Sequence, residues 1–375
     1  MNAKKFNLSK NLVFLGIIAA SCASTILSGY SDAKGFSFPI LQTCIMCFSE
    51  SLCIIPALYD RKKRQKNLNI RSTIINPVGP ISNFAKIIVK LMPCLAGLCD
   101  VISSALVYIA YIHLETADVV STGIFNMFYI LLYKKYIQKR KTYIHQKIGI
   151  VILILGTLGL TLNFAFFSGY KYEFSLNRFC YLLLMLFGAL FSVLHLIIME
   201  YTMKIQGMTP CETVAFQGLS CLLISSILYI PANYIYYNSY SSYYLAAPFL
   251  AFKSNMMIGL IISSIVVIFW LNYFVAKGVK LTDSLAVCTL EPGKSLIIWI
   301  IFIIINDNHI RSSEWINLGF SVILVIGMLI YNEVVIFPCG RMKKSALRSI
   351  RENEAYREAK LPGRAWQFKL EGLIQ

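Results

Sequence analysis

The stretch SLAVCTLEPGKSLIIWIIFIII, residues 284–305, decides how this chain is read. It is apolar for long enough to cross a bilayer, yet Lys294 stands in its middle, directly behind Glu291-Pro292-Gly293. An ammonium at membrane depth costs at least ~2.5–3.5 kcal/mol on insertion scales, so it must face protein, water or a partner charge. The sequence places every other Lys or Arg near a membrane surface. Pro292 removes a backbone donor and Gly293 lowers helix propensity, which predicts a kink or break beside the charge. A pair such as Glu291 and Lys294 at a broken helix near the midplane is the arrangement expected of a transporter's binding site.

Working outward, apolar runs of similar length recur along nearly the whole chain. Of 375 residues, 57% are hydrophobic and only 14% charged, against about 25% charged in ordinary soluble domains. The short alternating segments of a β-barrel are missing from the sequence. An all-α polytopic membrane protein is expected, with spans at 12–30, 37–58, 88–112, 116–136, 146–168, 177–203, 210–231, 254–276, 282–305 and 313–336. Residues 1–11 form an N-terminal segment and 338–375 a basic tail.

The net charge of +17 suggests nucleic acid only until its distribution is examined. With the N-terminus in the cytosol, the non-cytosolic segments hold only Lys34, Lys171, Arg178, Lys253 and Arg311 of the 35 Lys and Arg, apart from Lys294 in its span. This asymmetry is the positive-inside pattern; it supports ten spans with both termini cytosolic and no nucleic-acid partner. The organelle, or the plasma membrane, is left open. The first span resembles a signal peptide in following Lys4, Lys5 and Lys10, but it is too long for one. The run Arg61-Lys62-Lys63-Arg64 orients the chain and suits anionic lipid headgroups. Cys44 and Cys47 form a C-x-x-C without the four converging ligands of structural zinc, so neither a metal nor a disulfide framework is expected from the 11 cysteines.

An internal echo joins Tyr108 to Thr122 with Tyr273 to Thr289, each a span, a short turn and a span opening on small or polar residues. The copies fall at matching places in halves 12–168 and 177–336. Five spans per half make the repeat inverted, with a site between the halves.

Three stretches carry a family likeness: Pro93 to Tyr108 around Cys99-Asp100; Leu114-Glu115-Thr116-Ala117; and Leu290-Glu291-Pro292-Gly293-Lys294-Ser295 with Trp299. Over roughly 85–335 the chain resembles the drug/metabolite transporter superfamily, and within it the nucleotide-sugar-transporter-like solute carrier family 35, subfamily F. The resemblance implies ten helices in two inverted five-helix repeats and a nucleotide-sugar or nucleotide substrate. One departure stands out. Where the family's fourth helix carries Gln-Met-x-Arg-Gly, this chain reads Ser121-Thr122-Gly123-Ile124-Phe125 and lacks the intramembrane Arg.

The residues expected to bind substrate or a coupling proton are Lys294, Glu291, Asp100, Glu50, Asn272 and Asn126, with Pro292 and Gly293 as the helix break. Three acids against one base leave two carboxylates to be neutralised by protons, by water in a cavity or by a cationic solute. His195 and Asn163 read first as packing residues, and Asp118, Asp283, Glu200 and Glu212 as structural. The expected function is secondary-active transport of a small organic solute, anionic by resemblance and cationic or zwitterionic by charge balance. A homodimer is compatible with it, no cofactor is implied, and no Walker motif is present. A receptor or scaffold without transport is one alternative. An acyltransferase using His113 and Asp118, in H-x4-D spacing, is the other. The transporter reading expects Lys294→Met to abolish uptake in cells while the protein still reaches its membrane; a scaffold would keep its function.

Overall fold

The computed structural model describes residues 3–33, 39–68, 83–113, 126–138, 143–167, 176–205, 208–237, 254–290, 293–294, 296–298, 300–301 and 312–332. Eleven helical elements follow in chain order. They are α1 (Ala3–Ala33), α2 (Pro39–Ser51), α3 (Ile54–Leu68), α4 (Asn83–His113), α5 (the π-helical turn Tyr133–Ile137 that continues a helix over 126–132), α6 (Ile144–Phe167), α7 (Leu176–Ile205), α8 (Pro210–Tyr237), α9 (Asn255–Leu281), the short α10 (Ser284–Cys288) and α11 (Ser312–Tyr331).

Local chemistry sets several boundaries. Before α8, Thr209 and Glu212 form a capping box: the Glu212 carboxylate accepts from the Thr209 N–H at 2.8 Å, and Thr209 Oγ1 accepts from the Glu212 N–H at 3.1 Å. Pro210 fills the first helical position, where a missing N–H costs nothing. The break between α2 and α3 follows from Pro56, which has no N–H to give the Leu52 carbonyl four residues back. Leu52 O accepts from Ile55 instead, and Glu50 O from Cys53, each bond reaching only three residues. The turn after α10 has the same origin. Pro292 stands four residues beyond Cys288, and the chain leaves the α-helix at Thr289 and Leu290.

The bundle wraps α7, α8, α9 and the wholly buried α10 in a core of Val193, Met199, Val214, Val279 and Val287, to which α1 adds Val13 and Ile17. The pairs α4 with α7, α6 with α11, α2 with α8 and α1 with α9 pack most extensively. Glycines permit the closest approaches. A Cβ at Gly218 would lie 2.4 Å from the Ser51 nitrogen and 2.6 Å from Glu50 Cβ; one at Gly97 would lie 2.8 Å from the Gln217 carbonyl oxygen. Lipid tails are as apolar as leucine, so close packing over small residues is what holds such helices together.

The expected ten spanning helices in two inverted five-helix repeats are corrected here. Among the described residues, five helices are long and apolar enough to cross a membrane: Ser9–Ser31, Leu41–Lys62, Leu183–Lys204, Pro210–Ile227 and Asn255–Leu281. Shorter apolar stretches, Leu91–Val107, Ile144–Gly159 and Leu318–Tyr331, lie within α4, α6 and α11. The ninth expected span is no continuous helix, because the chain turns at 289–290. Where the fourth was expected, the described helix begins at 126 and ends in a π-turn holding a buried lysine.

Gly218→Val should overlap the α2 backbone and lower stability by about 1–3 kcal/mol, read as a fall in melting temperature in detergent. Gly259→Ala, where nothing lies within 4 Å, should cause no fall.

Candidate functional site

Glu50 occupies the last turn of α2, against the break that Pro56 imposes, and is 1% exposed. Burying a carboxylate is unfavourable unless partners replace its water shell. Two other helices supply direct ones. Asn272 of α9 donates its Nδ2 to Glu50 Oε1 at 2.8 Å, and Gln217 of α8 donates its Nε2 to Glu50 Oε2 at 3.3 Å. The same Gln217 nitrogen donates to Asp100 Oδ2 on α4 at 3.2 Å. Its Oε1 faces His195 Nε2 of α7 at 2.9 Å.

The donor inventory fixes how protons lie along this chain of bonds. Carboxylate oxygens accept, so Gln217 turns its amide nitrogen to Glu50 and Asp100 and its oxygen to the imidazole. His195 Nε2 must therefore carry a hydrogen. Its other nitrogen, Nδ1, stands 3.6 Å from Asp100 Oδ1, too long for a hydrogen bond. Cys221 of α8 joins the group: one ligand atom each from Glu50, Asp100 and Cys221 lie within 4.8 Å of one another. Cys221 Sγ also lies 3.1 Å from the Gly97 carbonyl, an approach that the missing Cβ of Gly97 allows. Five helices thus meet at one buried polar centre, and among the described residues no Lys or Arg is bonded to either carboxylate there.

A second electrostatic centre lies where α7 and α9 end. Lys134, in the π-turn of α5 and 3% exposed, sits 3.1 Å from Asp283 Oδ2 and 3.5 Å from Glu200 Oε2. Glu200 also accepts from the Ser284 N–H at 2.9 Å, from the Ser284 hydroxyl and from the Lys204 ammonium. Asp283 Oδ1 caps α10 through the Ala286 N–H at 2.7 Å. Two acids are met here by two bases, so this centre is internally compensated and joins α5, α7 and α10.

Of the residues singled out from sequence, the structure brings Glu50, Asp100 and Asn272 together. It adds Gln217, Cys221 and His195, which reads as part of the network rather than as packing. Lys294 lies in the helical residues after the 289–290 turn, half-buried, where its carbonyl receives the Cys22 thiol at 3.7 Å. Glu291 and Pro292 lie outside the described residues, as do His113's turn partner Glu115, Asp118 and the 338–375 tail. Gly293 is buried against Ile18 and Met328. Asn126 begins the described part of α5, and its buried Oδ1 has no hydrogen-bond partner among the described residues. Lys134 is a buried lysine that sequence reasoning assigned to a surface. Its signal was the run of aromatic and apolar residues on both sides of Lys134-Lys135.

Polar residues lie inside this bundle while Leu223, Ile227, Ile55 and Tyr59 are about two-thirds exposed on its outside. That inversion, with the five spanning helices, defines an α-helical membrane protein. No protein-family model and no curated protein matches the chain. Twenty-seven chains of solved structures do match. One of them, described as "Crystal structure of protein", aligns with a TM-score of 0.56 at 11% identity, over 87% of this chain and 97% of that one. At that identity the likeness is one of fold alone.

Lys134→Met would leave Glu200 and Asp283 facing each other in a buried site. Losing one partner of a buried ion pair costs about 3 kcal/mol or more, so a clear drop in detergent melting temperature is expected.

Proposed function

We propose that the protein is a secondary-active transporter that moves a small, positively charged solute across its membrane in exchange for protons. The buried Glu50–Gln217–Asp100–His195 network carries this reading. Its two carboxylates have amide and imidazole partners but no fixed cation among the described residues. Repulsion between two like charges in a medium of low dielectric is relieved by a mobile proton or a mobile cation, and these compete for one place. The α2–α3 break beside Glu50 frees backbone groups where irregular chain is tolerated only if it faces protein or a water-filled path. Interrupted helices at mid-depth are the usual seat of ion and substrate sites in transporters.

The resemblance to nucleotide-sugar carriers favours an anionic substrate, whose diphosphate calls for several cations. The acidic centre offers none, which is why a cation is preferred here. A receptor without transport would use the same network only to fix helix packing.

Purified protein in liposomes separates these readings. Uptake of organic cations is expected to respond to an imposed pH gradient, and Glu50→Gln and Asp100→Asn are each expected to cut it by about tenfold or more, some 1.4 kcal/mol in the barrier. Uptake of nucleotide sugars indifferent to Glu50→Gln would overturn the assignment, as would the absence of any flux.

A further inference from the structure

We propose that the acidic centre is a divalent transition-metal site of the zinc type, with Glu50, Asp100, Cys221 and His195 Nδ1 as ligands. The inference names the cation class of the transport reading, but metal binding itself does not require that flux occur.

The donor set is the first argument. Two carboxylates and a thiol converge from α2, α4 and α8, with one ligand atom of each within 4.8 Å of the others, and the His195 imidazole of α7 stands beside Asp100. Thiolate and imidazole suit zinc and its neighbours, whereas calcium and magnesium take oxygen ligands. Four ligands of this kind are the number a tetrahedral ion takes.

Geometry is the second. With metal–ligand distances near 2.0–2.3 Å, tetrahedral neighbours lie about 3.3–3.8 Å apart. His195 Nδ1 and Asp100 Oδ1 are already 3.6 Å apart, too far for a hydrogen bond and within that range. Glu50, Asp100 and Cys221 reach that range by closing at most about 1 Å, and His195 Nδ1, which is outside that group, has further to move.

The third argument is independent of both. Gln217 holds His195 Nε2 as a donor, which leaves the Nδ1 lone pair as the available atom, aimed at a carboxylate that is itself an acceptor. A ligating histidine characteristically donates its other N–H to an oxygen acceptor that fixes its ring, and Gln217 Oε1 fills that place. Asn272 and Gln217 orient the carboxylates in the same way. All four proposed ligands are nine-tenths buried or more.

Binding converts the Cys221 thiol to a thiolate: the sulfur–metal bond forms, the S–H bond breaks, and the proton leaves, as does any proton held by Glu50, Asp100 or His195 Nδ1. Metal entry therefore releases protons, and affinity rises with pH while they compete. This is the exchange that transport against a proton gradient requires. Among the described residues, the titratable groups at or interacting with the centre are Glu50 and Cys47 from α2, Cys53 from the turn after it, Asp100 and Cys99 from α4, His195 from α7 and Cys221 from α8, with the amides Gln217 and Asn272 beside them.

Cobalt is the probe. The full-length protein in detergent, stripped with chelator, is titrated with Co2+ and the spectrum recorded at several pH values. One tightly bound Co2+ per chain is expected, with an intense tetrahedral d–d band and a thiolate charge-transfer band, displaced by Zn2+ and not by Mg2+. Cys221→Ser should remove the charge-transfer band while weaker binding persists. Asp100→Asn and His195→Gln should each weaken binding about tenfold or more. Cys180→Ser, at an exposed thiol away from the centre, should leave the spectrum unchanged, and melting curves confirm that each variant is folded. No stoichiometric Co2+ binding by the wild type overturns the proposal, as does a charge-transfer band lost in Cys180→Ser instead of Cys221→Ser. Flux is then measured separately in liposomes with Zn2+. Co2+ binding without Zn2+ flux refutes the transport reading and leaves the site; cation–proton exchange without Co2+ binding does the reverse.

Discussion

Two carboxylates, Glu50 and Asp100, have to be satisfied where neither water nor lipid can do it. Much of the structure follows from that constraint. Gln217 can reach both acids only because α8 lies against the ends of α2 and the middle of α4, and that approach depends on the missing side chains of Gly218 and Gly97. Asn272 reaches the far oxygen of Glu50 because α9 packs against α2, where the Ser49 hydroxyl also bonds the Ile265 carbonyl at 2.6 Å. Hydrogen bonds between membrane helices average only about 0.6 kcal/mol each. A network that ties five helices is worth more through what its loss would leave unpaired than through any single bond.

The two electrostatic centres differ in kind. At the ends of α7 and α9, Lys134 and Lys204 answer Glu200 and Asp283, and the Ser284 amide and hydroxyl complete the shell. Such a closed set locks elements together. At the other centre, amides and an imidazole surround two acids, and no Lys or Arg is bonded to either among the described residues. Helix interruptions occur beside both, at the α2–α3 break before Pro56 for the acidic centre and at Thr282–Asp283, between α9 and α10, for the Lys134 centre. An interrupted helix has free carbonyls and a natural hinge, so the places richest in charge are also the places where the backbone is least tied to a single helix axis.

Depth within an apolar run was enough to single out Glu50, Asp100 and Asn272 before their contacts were known. Lys294 drew attention for the same reason. What depth does not reveal is who meets whom. Gln217 and Cys221 look like ordinary residues of α8, and only helix packing turns their common face toward α4 and α2. Lys134 looked like a surface lysine because positive charge beside an apolar run normally marks a membrane boundary. Folding buries it instead, since Glu200 and Asp283 arrive from distant parts of the chain to hold it. The count of spans also went astray in the sequence, because hydropathy sums across the 289–290 bend, whereas Leu41–Lys62 stays long and apolar enough to cross despite the turn before Pro56.

The sequence by itself determined that the protein is helical and has helices fit to cross a membrane, because apolar runs of that length are a property of the chain alone. It determined too which residues would be energetically expensive there. Tertiary structure decided how that expense is met: which acids share a partner, which acid finds a lysine, and where helices stop. Those outcomes rest on distances between residues as far apart as 50, 100, 195, 217 and 272, and separation in sequence carries no record of closeness in space.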